Sequence, residues 1–434
     1  MSAKRPTGKH PLRPLWQRLY AFIKRFSRLP EEESIEPIDF SAPSVPYYTN
    51  LAERFNLARI VLYMVLFVFV VVTVVSSRHL ITYENLYYLV KDVGAATLTA
   101  QSQADHLNYP VSGVSADFGL YRGGLTIAGS EEITVLSGSG KQTLSENVSL
   151  AAPQIRTGEQ YFVTFSRGER DFSVYNAFVR VKKEATEFPV YDVCMGRDGA
   201  YAVLTRSADY TSEVIFYDAD MTKRLAVRRI GYVTAMSVSP DGSTLAVVSL
   251  ELGDNGYTTK VSFVRSDGTE KQVLLSDTTA LSAEFLSDDR LAVVFEDRIV
   301  FYRNDSVKLS EIPYEGDTPL LTAATTDGYV GLLMASREQL DERVLKVYDK
   351  NGKATYEVAL EDVDDASELV LHGKNVYIRL KTHILYVSEQ GAKQAVASVP
   401  RDTVSLLPDS NGSLLACGPA YAVRIKPSDF RVKS

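Results

Sequence analysis

The chain has 434 residues, 45% of them hydrophobic and 23% charged, with 26 Gly, 17 Pro, one Trp and two Cys. Near-average Gly and Pro exclude collagen-like and low-complexity classes, and two cysteines exclude a disulfide scaffold. The net charge of −7 hides a division: residues 1–59 carry +4 and the remainder −11, and residues 1–28 hold eight basic and no acidic side chains.

In chain order, the first predicted element is a helix over Leu15–Leu29, LWQRLYAFIKRFSRL. It gathers Leu15, Trp16, Leu19, Phe22, Ile23, Phe26 and Leu29 on one face, with Arg18, Lys24, Arg25 and Arg28 opposite. An apolar face with the sole Trp and a basic polar face suits the surface of an anionic membrane; docking on a cytoplasmic partner is the competing use. Trp16, Arg18, Phe22, Lys24, Arg25 and Arg28 are the membrane-surface candidates. Residues 31–50, acidic and Pro-rich without periodicity, read as a disordered linker.

Residues 51–78 read as a transmembrane helix. Its centre, Ile60–Ser77, has no charge over 18 positions and is bracketed by Arg59 and Arg78. Asn50 is placed to cap it and Glu53 to complete a capping box. A buried strand of that length would be several times the usual one. The run exceeds a signal-peptide core, so it reads as an uncleaved anchor. The basic N-terminal side of a span stays in the cytoplasm, which predicts a single-pass protein with its C-terminal mass outside. Lipid contacts are expected at residues 15–29 and 60–77. Residues 79–113 read as a membrane-proximal helix from Thr82, with Tyr83, Tyr87 and Tyr88 at headgroup level, followed by a spacer.

From residue 114 short β-rich runs alternate with turns. The clearest unit is Val233–Ser249, in which two strands flank the turn Ser239-Pro240-Asp241-Gly242. The same turn position recurs at a mean spacing of about 41 residues, close to one four-stranded propeller blade. A third strand with its own turn keeps the same phase. LAVVS and LAVVF are apolar throughout, as strands buried on both faces are, so each sheet must cover its faces with its neighbours. The fold class is therefore all-β: a β-propeller over residues 114–434 with eight blades, or seven as the alternative. Units open near 114, 151, 189, 232, 279, 318, 364 and 402. The last holds about three strands, and the segment before Val114 is expected to supply the missing outer strand.

MSVSPDGSTLAVVS is similar to the Pro-Asp-Gly repeats of bacterial TolB-like and YVTN/WD40-like propellers. The layout as a whole resembles an uncharacterised family of single-pass, membrane-anchored bacterial propeller proteins. No Trp-Asp pair occurs, and the ring has no Trp. No partner surface of WD40 proteins therefore carries across.

Catalytic marks are sparse. The five histidines form no HxH or HExxH pair, and neither a nucleophile elbow nor a P-loop occurs. Gly123-Gly124 and Gly138/Gly140 read as hairpin turns rather than phosphate cradles. The acids Glu361, Asp362, Asp364 and Asp365, and Asp288, Asp289, Glu296 and Asp297, read as solvated loops in preference to a Ca²⁺ or glycosidase site. Cys194 and Cys417, in distant units, are expected as buried free thiols. No catalytic residue, metal or cofactor is assigned, and the protein is read as a non-enzyme. The expected function is an extracytoplasmic scaffold that binds an envelope protein or ligand at a propeller face. The alternative is a hydrolase acting on an envelope polymer through carboxylates at the axis. The acidic ectodomain argues against nucleic acid.

Overall fold

A computed structural model of the chain describes residues 45–76, 104–110, 115–253, 256–335, 343–389, 391, 393–409 and 411–432. The amphipathic segment carrying Trp16, Arg18, Phe22, Lys24, Arg25 and Arg28 and the helix expected from Thr82 lie outside these residues. Two compact units are present, residues 1–81 and 82–434.

In the first unit, helix α1 runs Val45–Ser76. Its stretch Arg54–Val72 is long and apolar enough to cross a membrane, and the apolar side chains there are exposed. At 1.5 Å per residue the helix is about 48 Å long, more than a hydrocarbon core requires. The expected start at Asn50 is corrected: that residue lies inside the helix, and the last six residues of the expected linker are helical. Pro46 accounts for this, because in the first turn its missing N–H is one that has no partner anyway.

Among the described residues the second unit contains eight antiparallel sheets, seven of four strands and one of five. Blades 1–8 span 116–147, 153–185, 192–229, 232–276, 280–313, 318–360, 368–398 and 405–425, each opening within four residues of its expected position. Every inner strand touches the inner strand of the next blade, and that of blade 8 touches that of blade 1. Eight blades close one ring.

Burial follows the pattern that the apolar strands require. The eight hydrophobic clusters correspond one to each blade interface, from Tyr121, Val135 and Phe162 between blades 1 and 2 to Phe118, Ile127 and Leu415 between blades 8 and 1. In blade 4 Leu245–Ser249 is wholly buried, while outer strands such as Arg180–Ala185 are charged and wet. Each sheet therefore gains its core only from its neighbours.

The expected clasp is present. His106–Asn108 forms the outermost strand of blade 8, pairing Leu107 with Ala422. Arg424 fastens it: its backbone N–H donates to the Asp105 carbonyl at 2.8 Å and its Nε to the Ala104 carbonyl at 3.3 Å. Its guanidinium pairs with Asp409 at 2.5 Å, the two side chains being 2% and 3% exposed. Blade 7 has a fifth strand that the repeat does not announce, Arg431–Val432 on Gln394–Ser398, with Phe430 packed on Tyr377 and Tyr386.

Candidate functional site

All eight inner strands run in one direction. The hairpins that follow them therefore share one face of the ring, the turn face, and the residues that open them surround the channel on the other, the entry face.

An inner strand bonds to only one neighbour, so its channel edge carries N–H groups that need partners. Side chains of the preceding blade supply them. Asp117 accepts from the Ile155 N–H at 2.9 Å, Ser237 from Phe285 at 3.1 Å, and Glu368 from Leu406 at 3.1 Å. Arg379 holds Glu368 at 2.8 Å.

Further polar groups gather along blades 1 to 5 of the same channel. Arg156 bridges Asp192 at 2.9 Å and Asp117 at 3.7 Å, and Ser237 donates to Glu284 at 3.3 Å. Channel water reaches Glu284, yet protein surrounds it on most sides. That enclosure pushes its carboxyl up to about 7; the Ser237 hydrogen bond and Arg156 oppose the rise, and Asp192 adds to it. The Cys194 thiol is raised by burial first and by Asp192 and Glu284 next, so it stays protonated at neutral pH. Both cysteines are free, as expected; Cys417 is buried, whereas Cys194 is only half-buried, because its strand borders the channel.

Glu284 imposes a pH dependence. Its ordinary value is 4.5 and its folded value is higher, so its favourable contribution is complete below 4.5 and is lost as pH rises through about 7. After discounting for channel water, the wild type is expected to lose about 1 kcal/mol more than Glu284→Gln between about pH 5 and pH 8. Thermal unfolding at both pH values reads the difference, and identical pH dependence in the two proteins would remove the assignment.

The motif Ser239-Pro240-Asp241-Gly242 lies on the turn face and its role is architectural. Ser239 Oγ donates to Asp241 at 2.6 Å and accepts from the Thr244 N–H at 3.0 Å. Gly242 adopts φ 67°, and a Cβ there would run into the Asp198 carboxylate of blade 3. Asp198 in turn donates its N–H to the Pro240 carbonyl at 2.9 Å. The motif thus joins neighbouring hairpins. Arg197 pairs with Glu159 of blade 2 at 3.2 Å and reaches Thr326 of blade 6 at 2.5 Å, spanning the ring.

The turn acids do not converge. Asp289 is held by Arg290, Asp297 by Arg298 and Asp364 by Arg343, each in its own loop. Among the described residues no three His, Cys, Asp or Glu side chains are placed to hold a metal ion.

The entry face has a different character. Tyr191, Tyr232, Leu281, Leu320 and Val404 open the inner strands of blades 3, 4, 5, 6 and 8, and all are exposed, Tyr232 by 72% and Leu320 by 50%. Ile230 stands beside Tyr232, and the ten-residue strands of the blade 4 hairpin carry Leu252, 90% exposed, at their tip. These side chains form an apolar collar around one channel mouth. The connections into blades 4 to 7, 230–231, 277–279, 314–317 and 361–367, contain seven carboxylates and no cation, whereas the connection into blade 8 carries Arg401 beside Asp402.

Sequence reasoning singled out the turn on the opposite face and missed the collar. The available signal was an apolar residue recurring within two positions of the inner-strand start, which in one dimension looks like part of the strand's own core pattern.

Residues 108–418 match a family of unknown function, DUF5711. The chain belongs to that family. The match runs from the clasp strand to the end of the second strand of blade 8 and so covers nearly the whole ring. Among solved structures, the chain is similar to Kluyvelomyces marxianus Hsv2, with 11% identity, a TM-score of 0.44, and 67% of this chain and 98% of that one covered. It is also similar to a eukaryotic initiation factor, with 11% identity, a TM-score of 0.41, and 64% and 86% covered. No curated protein matches.

Proposed function

We propose that this member of the family is a membrane-anchored, extracytoplasmic and non-catalytic scaffold that binds an envelope protein or ligand on the entry face of its propeller. The observation that carries the reading is the collar: five blades expose an apolar side chain at or beside the start of the inner strand, toward one mouth. A contiguous apolar surface on a rigid scaffold marks an interaction site. The excess of basic residues before α1 supports a cytoplasmic N-terminus, with residues 15–29 lying on the inner leaflet. The Ser239-Pro240-Asp241-Gly242 turn supports descent from bacterial TolB-like, YVTN or WD40-like repeats.

A photocrosslinking residue placed at 281 or 320 of the full chain, in the cells that express it, is expected to trap a discrete adduct. The same residue at 309, an exposed outer-strand position, is expected to trap none. Adducts of equal yield at 309, or none at the collar, would defeat the reading.

A second reading, hydrolysis of an envelope polymer at the axis, is favoured by one observation: the Glu284 carboxyl is raised to about 7, in the range of a general acid, close to Asp192. It requires the full chain to release soluble fragments from isolated envelopes and Glu284→Gln to release none.

A further inference from the structure

The chemistry of the entry face identifies the kind of partner it accepts. Tyr232, Leu281 and Leu320 stand exposed on three consecutive blades, and the connections that precede Leu281 and Leu320 contain acids but no cation. Three of those acids, Asp277, Glu315 and Asp362, are exposed and take left-handed backbone, with φ 56°, 50° and 59°. Glycine fits that conformation best, and here a carboxylate occupies it in three successive connections.

Asp317 is partly neutralised by Lys346 at 3.4 Å and Asp364 by Arg343 at 3.2 Å. Three of the cations that flank this sector are engaged as well: Arg228 by Glu213 at 3.0 Å, Arg229 by Glu270 at 2.5 Å, and Arg298 by Asp297 and Glu311, both at 2.6 Å. Lys381, exposed, lies at the blade 7 end, where its backbone N–H donates to Asp365 at 3.0 Å. The sector is therefore negative, with apolar side chains spaced through it.

Its extent fits a polypeptide. Packed sheets lie about 10 Å apart, so blades 3 to 6 span at most about 30 Å, the length of a helix of about 20 residues. A second copy docking through the same face would set like charges against each other, and an anionic membrane would be repelled.

We infer that the entry face between blades 3 and 7 is a docking surface for a basic, amphipathic polypeptide segment of a partner protein, whose apolar side chains seat on the collar and whose cations face the connecting carboxylates. The inference rests on reading the collar as a binding face and adds the chemistry of what binds.

The test uses the full chain in zwitterionic nanodiscs and two labelled probes: a Lys/Leu amphipathic helical peptide of about 18 residues and its Glu/Leu counterpart. The Lys/Leu peptide is expected to bind at least about tenfold more tightly than the Glu/Leu peptide, with an affinity that falls as salt rises. The double variant Leu281→Ser/Leu320→Ser is expected to weaken binding about tenfold, and Asp277→Asn/Glu315→Gln about fivefold with a shallower salt dependence. Asp288→Asn/Asp289→Asn on the turn face is expected to leave binding unchanged. All the replaced side chains are half-buried or exposed, and the Asn and Gln substitutions keep shape and tolerate the local backbone.

Equal binding of the two peptides, or losses as large from the turn-face variant as from the entry-face variants, would overturn the proposal. So would concentration-dependent dimers abolished by Leu281→Ser, or a preference for anionic over zwitterionic vesicles that is lost in Leu281→Ser/Leu320→Ser, which would assign the face to a second copy or to lipid. Cellular adducts at 281 or 320 with an acidic protein would leave the scaffold reading standing and remove this inference alone.

Discussion

Arg424→Met is expected to destabilise the propeller by about 3–5 kcal/mol, because it leaves the buried Asp409 carboxylate without its cation. The pair is almost wholly dry, with 2% and 3% of the side chains exposed, and Ser413 Oγ lies 3.0 Å from the same guanidinium nitrogen. The substitution also removes the bond from Arg424 Nε to the Ala104 carbonyl, so part of the loss falls on the clasp itself. The double variant Arg424→Met/Asp409→Leu removes both charges and is expected to recover most of the stability, since an apolar pair of similar volume carries no desolvation cost. Urea unfolding followed by tyrosine absorbance is suitable, because the sole tryptophan, Trp16, is outside the ring. A single variant within about 1 kcal/mol of wild type would show that the pair contributes little. Hydrogen exchange should locate the first loss of protection at His106–Asn108 and Tyr421–Ile425.

Phe162→Ala carries the second large effect, also about 3–5 kcal/mol. Phe162 is fully buried between blades 1 and 2, edge-on to Tyr121 at 5.4 Å and stacked on Tyr175 at 5.3 Å. Truncation removes both ring contacts and opens a cavity between two sheets that have no other means of covering those faces. Phe162→Leu keeps most of the volume and should cost about 1.5 kcal/mol or less. Equal losses for the two substitutions in urea titration would indicate that aromatic packing, and not the cavity, sets the magnitude. Because the cluster is shared, amides of Gly124–Gly129 and Phe162–Ser166 should lose protection together.

Much of the fold was legible in the sequence because a propeller repeats its demands. Each blade needs a turn after its inner strand and a dry second strand, and the spacing of Gly124, Gly199, Gly242 and Gly328 marks those places in the chain. Even the clasp followed from arithmetic, since a blade of three strands leaves an edge to be covered. The site was less legible because it exists only across blades. Ser237 and Glu284 are 47 residues apart and meet at the channel, and nothing local to either marks the meeting. Tyr232 and Leu281 look like core residues until the strand direction places them outside. The start of α1 escaped because Asn50 offers a convincing cap that Pro46 pre-empts. The strand Arg431–Val432 is too short to register as periodic.

The clasp has a mechanical consequence. Among the described residues His106–Asn108 is the first strand of the ring and the chain continues from it toward α1, so tension drawn along the backbone from that direction meets the ring at Ala104, Asp105 and the three paired residues. The junction also reaches blade 1, through the Ala104 N–H that donates to the Gly138 carbonyl at 3.2 Å. What resists such tension is the hold of Arg424 on Ala104 and Asp105 together with the Lys426 ion pair to Asp105 at 2.8 Å.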